Sequence, residues 1–435
     1  MKKYNILVFP CGTEIANEII SSLESHKYFS LIYASSEEDS YCHFRGATVY
    51  RLPYVGDSDF KAELSAIVKD KKIDFIIPAH DDVSYTLSHM EDDIEAKVIG
   101  QSARVNDVVR FKDRTYEYFK GKLPIASIYK NEDELEFPLF VKPKRGEGSK
   151  NSFPVETEEE WKIFRKKYKA DDFVWMELLS GEEYTVDCFS HNGRLLYAGA
   201  RSREKTVKGI SILSRLVYDN EMNETFREYA HIVSDELNMH GVWFFQMKRD
   251  AFGKLKLLEV GPRVSGTMML NRVRGVNFVE LALFQALGHD VEIVYNDIDI
   301  SLARALEPIY KCSVEYENLY IDFDDSLWID ESYINTDIMK LIFQAKNENK
   351  KVILITKNRK NDLVGVLHRY GITNIFDDII HLKDSEEKVD FMEGRALLVD
   401  DSFSERKKAI ENGFYAYAND SIEALMKCFP PTSHR

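Results

Sequence analysis

Short apolar runs alternate with amphipathic stretches over the first hundred residues. The run NILVF at 5–9 reads as a buried strand, with Gly12 as the turn behind it. EIANEIISSL, at 14–23, has apolar positions at helical spacing. LIYAS (31–35), ATVYRLP (47–53), DFIIPA (74–79) and KVIG (97–100) are further short strands. Strands alternating with helices predict a mostly parallel sheet in an α/β layer fold. The first turn has one glycine and no GxGxxG, which argues against a dinucleotide site. The opening MKKYNILVFPCGTE imitates a signal peptide, but Pro10 and Glu14 end its apolar run too soon.

From about 106 to 295 the strands lengthen and alternate polar with apolar positions. Residues 183–201 read as a hairpin turning at Asn192-Gly193, and 241–260 as one turning around 250–253. These predict an α+β unit with an antiparallel sheet. After about 315 a βαβ rhythm returns, with strands at 319–327, 352–356, 378–382, 396–402 and 414–418. The expected modules are 1–105 (α/β), 106–300 (α+β) and 316–435 (α/β), close to the ~150 residues usual for a domain. The tail FPPTSHR is expected to fray.

Composition narrows the partners. The 435-residue chain has a formal net charge of −15, a surface that repels nucleic acid and anionic lipid. No apolar run reaches the ~18 to 20 residues of a membrane helix. Cys11, Cys42, Cys188, Cys312 and Cys428 are scattered and never in CxxC spacing. That pattern fits a reducing cytoplasm, not a disulfide framework or zinc knuckle. His80, His89, His231 and His240 fit no metal spacing.

Three segments of the middle module carry chemistry. In FPLFVKPKRGEGSKN (137–151) a strand ends at Lys142, and Gly146, Gly148 and Ser149 follow. Backbone N–H groups in such a loop make a concave donor surface for phosphate oxygens, and Lys142 adds charge. Alone, the segment also reads as an ordinary surface loop. In WMELLSGEEYTVDCF (175–189), backbone groups can pair with an adenine edge and Glu183 can accept from ribose hydroxyls; a plain edge strand is the competing reading. The third segment is the 241–260 hairpin. Turning at 250–253, it makes Gln246 and Glu259 diagonal neighbours on one face, roughly 7 Å or less apart. Two oxygen donors at that spacing suit Mg²⁺.

In this order and spacing, KPxxGxGS, ELLSGEEYTVD and LLEVGPRVSG resemble the ATP-grasp superfamily. The likeness is closest to its carbamoyl-phosphate synthase-like and carboxylate–amine ligase branch, over about residues 1–295. SARVNDVVRFKDRTYEYF (102–119) resembles the family's helix bearing a first ATP lysine, here Lys112. The resemblance implies that Lys112 and Lys142 bind ATP phosphates and that Gly146, Gly148 and Ser149 form a lid loop. It implies that Glu177 and Leu179 flank the adenine, Glu183 holds the ribose, Gln246 and Glu259 hold Mg²⁺, and Arg263 faces the γ-phosphate. The family ends this segment ExNPR; here Gly261 stands at the Asn position and supplies no side-chain oxygen. Arg201, Arg203, Lys205 and Lys208 form a basic loop that could clamp an anionic substrate or simply be solvated.

In the last module, acids stand at the carboxyl ends of predicted parallel strands: Asp322 and Asp324, then Asp400 and Asp401. Such ends converge on the ligand crevice of an open α/β sheet. Four carboxylates gathered there need a cation and a lysine between them. With Thr356 ending 352–356 and Lys383 following 378–382, the set resembles the haloacid dehalogenase-like superfamily. The resemblance implies a Rossmann-like domain in which Asp322 is a nucleophile forming an aspartyl phosphate and Asp324 a general acid/base. Thr356 and Lys383 (Lys388 as a second candidate) would hold the phosphoryl group; the aspartates, Asp322 and Asp324 with Asp400 and Asp401, would hold Mg²⁺. The short spacing leaves no room for a large cap, so the site is expected to be open, to take a large substrate, or to be covered by the neighbouring domain.

The expected protein is a cytoplasmic, ATP- and Mg²⁺-dependent ligase that activates a carboxylate as an acyl phosphate for attack by an amine. A fused phosphatase-type domain would act on a phosphorylated substrate. Small-molecule carboxylate and amine substrates are expected, without nucleic acid or membrane, and a homo-oligomer is compatible with the sequence. Two alternatives stay open: a phosphatase with an ATP-sensing grasp module, and a non-catalytic nucleotide-binding regulator.

Overall fold

A computed structural model describes residues 3–45, 47–146, 148–310, 312–358 and 363–427. Cys428 and the tail expected to fray lie outside the described residues. The chain forms two compact units, Met1–Cys42 with Thr48–Glu307, and His43–Ala47 with Pro308–Arg435. No helix among the described residues is long and apolar enough to cross a membrane.

The first unit opens with a five-stranded sheet of β1 (Tyr4–Phe9), β2 (Phe29–Ser35), β3 (Val49–Arg51), β4 (Phe75–Pro78) and β5 (Lys97–Val98). Its order is β3-β2-β1-β4-β5, with every pairing parallel. Helix α1 (Glu14–Leu23) spans the run read as helical, and the Thr13 hydroxyl caps it by accepting from the Ala16 N–H. Helices α2 (Phe60–Asp70) and α3 (Asp81–Ser88) follow. Leu7, Leu64, Ile76 and Leu87 share the core between sheet and helices. The segment 102–119, expected as one helix, is two: α4 (Ala103–Val109) and α5 (Lys112–Phe119). Phe111 takes an extended conformation (φ −110°, ψ 116°) and breaks the ladder, which makes Lys112 a first-turn residue.

Two antiparallel sheets follow. One is ordered β6 (Ile128–Tyr129), β9 (Phe173–Glu177), β7 (Leu139–Pro143), β8 (Phe153–Val155), with α6 (Glu158–Lys167) between β8 and β9. The other is ordered β11 (Arg194–Ser202), β10 (Glu183–His191), β14 (Gly241–Arg249), β15 (Leu255–Gly261). The long helix α7 (Asn220–Leu237) packs on the second sheet through Phe226, Ala230 and Val233, against Val186, Trp243 and Phe245. A small sheet of β12 (Lys205–Val207), β13 (Ile210–Arg215) and β16 (Ser301–Ala303) and helix α8 (Phe278–Ala286) complete the unit.

The second unit is a parallel sheet ordered β21 (Asp378–His381), β20 (Lys351–Thr356), β17 (Asn318–Ile321), β22 (Ala396–Val399), β23 (Tyr415–Tyr417). Alternation along β17 sends Leu319 and Ile321 to one core and Tyr320 to the other, so the sheet is covered on both faces. Helices α9 (Thr336–Asn347) and α10 (Leu363–Arg369) lie on the first face, and α11 (Phe403–Glu411) on the second. Between β17 and β20 there is only a small hairpin, β18 (Trp328–Ile329) with β19 (Tyr333–Ile334), and α9. The carboxyl ends of β17, β20 and β22 thereby meet without an inserted domain.

Leu341, on α9, is fully buried in the second unit's larger core. Leu341→Ala is expected to lower that unit's stability by about 2–5 kcal/mol, whereas exposed Lys340→Ala stays within about 0.5 kcal/mol. Denaturant midpoints of the two variants check this.

Candidate functional site

A cavity of about 280 Å³ in the first unit is lined from both antiparallel sheets. β7 ends by delivering Lys142 to it, and α5 delivers Lys112. Lys142 is 6 % exposed. Its Nζ donates to the Tyr116 hydroxyl (2.5 Å) and the Leu258 carbonyl (3.2 Å), and the Tyr116 hydroxyl donates to the same carbonyl (2.8 Å). Burial, reinforced by the charge of Lys112, pushes the Lys142 amine down to about 7, while Glu259 and Glu183 act in the opposite sense. Tyr116 was not foreseen, yet it stands four residues after Lys112 on α5, one helical turn along the same face.

Gln246 and Glu259 also line the cavity. They face each other directly and are not diagonal neighbours, because the register shifts between Gln246 and Met247. Leu258 is the extra residue of this β-bulge, and without a strand partner its carbonyl is left for Lys142 and Tyr116. Neither the Gln246 nor the Glu259 side chain has a hydrogen-bond partner among the described residues. Two unused side-chain oxygen donors on one rung fit Mg²⁺, which prefers a few protein oxygens plus phosphate and water.

The glycine loop roofs the cavity. Lys112 Nζ donates to the Gly146 carbonyl (2.7 Å), and Arg110 reaches the same oxygen (3.4 Å). Gly148 and Ser149 lie against Gly209, at the turn between β12 and β13. A Cβ on Gly209 would stand 2.9 Å from the Gly148 carbonyl carbon and still closer to Ser149, and φ is +77°. Only glycine fits that meeting point. Arg203 holds the turn by donating to the Gly209 carbonyl (2.6 Å) and pairs with Glu183 (2.6 Å). Lys248 approaches Glu183 at 3.8 Å. Glu177 accepts from the Ser127 N–H (2.9 Å) and, with buried Leu179, lines the cavity.

The residues of the basic loop are placed differently from one another, and Arg263 stands apart from the cavity. Arg201 is fully buried, paired with Asp187 (2.8 Å) and bonded to Ser265 (3.0 Å). Lys205 and Lys208 are exposed. Arg263, expected to face the γ-phosphate, is not among the cavity's lining residues; it makes a two-point pair with Asp81 (2.8 and 2.7 Å). Burial raises the Asp81 carboxyl, but Arg263 and Arg110 outweigh it and hold it at about 2. Asp82 beside it takes both Arg110 (2.8 Å) and Arg145 (2.5 Å), the latter from the glycine loop. The two adjacent acids that open α3 were not singled out by the sequence reading.

In the second unit, oxygens of Asp322, Asp400 and Asp401 lie within 4.8 Å of one another. Three carboxylates this close fit a divalent cation. Lys388 stands among them, bonded to Asp322 and, at 2.5 Å, to Asp400. Burial drives the Asp322 carboxyl up to about 7; Asp400 and Asp401 add to the rise and Lys388 opposes it. Burial disfavours charge on Lys388, but Asp322 and Asp400 more than compensate and raise its amine. Lys383 is exposed instead, its N–H donating to Glu386 (2.7 Å). The loop after β21 runs on before a single turn at Lys388–Phe391 returns the chain to the strand ends. Asp324 stands outside the trio and accepts from Asn358 (2.6 Å). Thr356 is fully buried at the end of β20, its hydroxyl accepting from the Asn358 N–H (3.0 Å). Asn358, which joins Thr356 to Asp324, had no signal in the spacing.

A family model described as "ATP-grasp in the biosynthetic pathway with Ter operon" matches residues 169–306. Among solved structures, the chain is similar to the biotin carboxylase domain of 2-oxoglutarate carboxylase from Hydrogenobacter thermophilus, crystallised with MgADP, ADP and bicarbonate. That likeness has 15 % identity and a TM-score of 0.57, over 68 % of this chain and 72 % of the other. N5-carboxyaminoimidazole synthetase from Staphylococcus aureus, complexed with ADP, is similar at 13 % identity and TM-score 0.56, over 68 % and 80 %. L-amino acid ligase from Bacillus licheniformis is similar at 18 % identity and TM-score 0.52, over 66 % and 75 %. No curated protein matches the sequence. The chain thus contains an ATP-grasp fold.

The raised Asp322 carboxyl sets a pH dependence. Between about pH 4, its unfolded value, and about 7, the folded state binds the extra proton, so stability falls as pH rises through this window. In chelator-containing buffer, the stability of the wild type is expected to decline relative to Asp322→Asn across that window. Denaturant titrations at successive pH values measure the slope.

Proposed function

We propose that the first unit is an ATP- and Mg²⁺-dependent ligase that activates a carboxylate as an acyl phosphate and passes it to an amine. Residues 1–105 would serve as its leading α/β module and 106–300 as the grasp. The observation that supports this is convergence: Lys112, Lys142, the glycine loop, Glu177, Leu179, Glu183, Gln246 and Glu259 all line one cavity. Lys112 and Lys142 would draw the triphosphate, Glu183 would hold ribose hydroxyls, and Glu177 and Leu179 would flank the base. Mg²⁺ held by Gln246 and Glu259 would neutralise charge developing on the phosphate oxygens. The substrate carboxylate attacks the γ-phosphorus and ADP leaves. The amine then attacks the acyl carbon, phosphate leaves, and the nitrogen loses a proton.

For the second unit, residues 316–435, we propose a haloacid dehalogenase-like phosphohydrolase. Asp322 attacks a phosphate ester to give an aspartyl phosphate while Asp324 protonates the leaving alcohol. Water, deprotonated by Asp324, then releases phosphate. Lys388 and Thr356 would hold the phosphoryl oxygens, and Asp322, Asp400 and Asp401 would carry Mg²⁺. The reading is supported by the trio's geometry and by Lys388 among its carboxylates. A cytoplasmic setting and small-molecule substrates belong to the same proposal. The Arg263–Asp81 pair favours a second reading, in which the grasp only senses nucleotide and the phosphohydrolase is the sole activity.

ADP release in a screen of carboxylate and amine pairs separates the two. Pair-dependent release, falling about a hundredfold or more in Lys142→Met, supports the ligase. Phosphatase turnover lost at least about a thousandfold in Asp322→Asn, with no pair-dependent release, supports the sensor.

Lys142 also predicts a proton linkage. Its amine is largely neutral in the free protein at about pH 8, and a bound triphosphate favours the ammonium. Nucleotide binding at that pH is expected to take up close to one proton. Calorimetry in buffers of different ionisation enthalpy measures the uptake, which Lys142→Met is expected to abolish.

A further inference from the structure

The order of side chains along β14 and β15 goes beyond the donor pair itself. On paired antiparallel strands, rungs facing one side recur every two residues. Across the bulge the rungs are Lys248 with Lys256, then Gln246 with Glu259, then Phe244 with Gly261. The middle rung alone carries oxygen donors. We propose that this site holds a single divalent cation with its nucleotide, and that the flanking rungs exclude a second. The inference rests on the reading of the cavity as an ATP and Mg²⁺ site.

On one flank, Gly261 contributes no side chain and the Phe244 ring takes the space. A Cβ on Gly261 would stand 2.8 Å from Cε2 of that ring and closer still to two other ring carbons. The ring is buried, and the Arg263 guanidinium lies 5.4 Å from its centroid, fixed in turn by Asp81. A cation stepping along the strands from Glu259 meets apolar carbon and then a fixed positive charge. On the other flank stand two ammonium groups. Lys248 lines the cavity, and Lys256 approaches Glu177 and Asp250 at 3.8 Å each. Neither flanking rung of β14 and β15 offers an oxygen of its own, and the carboxylates beside them on β10 are already paired, Glu183 with Arg203 and Lys248 and Asp187 with Arg201, so the ladder of uncommitted donors is one rung long.

The test is a titration of the full-length chain with Mn²⁺, with and without the non-hydrolysable analogue AMP-PNP, followed by electron paramagnetic resonance. The aspartate trio of the second unit contributes equally to both series, so the nucleotide-dependent increment isolates the cavity. One Mn²⁺ per bound AMP-PNP is expected, with the spectrum of an isolated ion, and Glu259→Gln is expected to weaken its affinity at least about tenfold. Two Mn²⁺ per nucleotide with a spin-coupled spectrum would overturn the inference while leaving the ATP reading intact. A single Mn²⁺ indifferent to Glu259→Gln would overturn it too. If AMP-PNP does not bind at all, the ATP reading falls and the inference falls with it.

Discussion

A lysine amine shut away from water, with a phenol and a carbonyl as its hydrogen-bond partners, is expensive to charge. The first unit builds one at Lys142, and much of its middle architecture follows from that. The Leu258 carbonyl is available because β15 carries one residue more than β14 at that point. The Tyr116 phenol is available because α5 starts afresh at Lys112 and turns position 116 inward. The same bulge brings Gln246 and Glu259 face to face. A single extra residue thus sets the lysine's partners and the spacing of the oxygen donors together. What results is a group poised between two charge states, whose missing counter-charge a polyanion can supply.

The second unit solves the opposite problem. There carboxylates crowd, and a protein cation, Lys388, stands between them. The amine bridges Asp322 and Asp400 at the sheet's carboxyl edge, where three strands deliver polar ends to one point. The two sites share a principle: each holds charge out of balance, an excess of basic groups around Lys142 in the first and of carboxylates around Lys388 in the second.

How far the sequence reveals this depends on the range of the forces involved. Strands such as β1, β4, β20 and β22 are legible because a buried parallel strand must be a short unbroken apolar run. The hairpins were legible too, since Asn192-Gly193 and the turn at 250–253 announce themselves. The cavity residues could be named because their spacing is carried by those elements. Other features stayed hidden. The bulge at Leu258 leaves no mark in composition or alternation strong enough to read. The choice of Lys388 over Lys383 turns on the path of a loop. Arg263 and Asp81 are far apart in sequence, and nothing local to either points to the other. The helix break at Phe111 went unread because the apolar period continues across it.

The roof over the cavity is a seam, not a wall. Gly148 and Gly209 bring two backbone edges together with only the small Ser149 side chain at their meeting point, and Arg203 pins one edge through the Gly209 carbonyl. A larger residue at 209 would force the two edges apart, so the closeness of the roof depends on one position that touches none of the lysines beneath it.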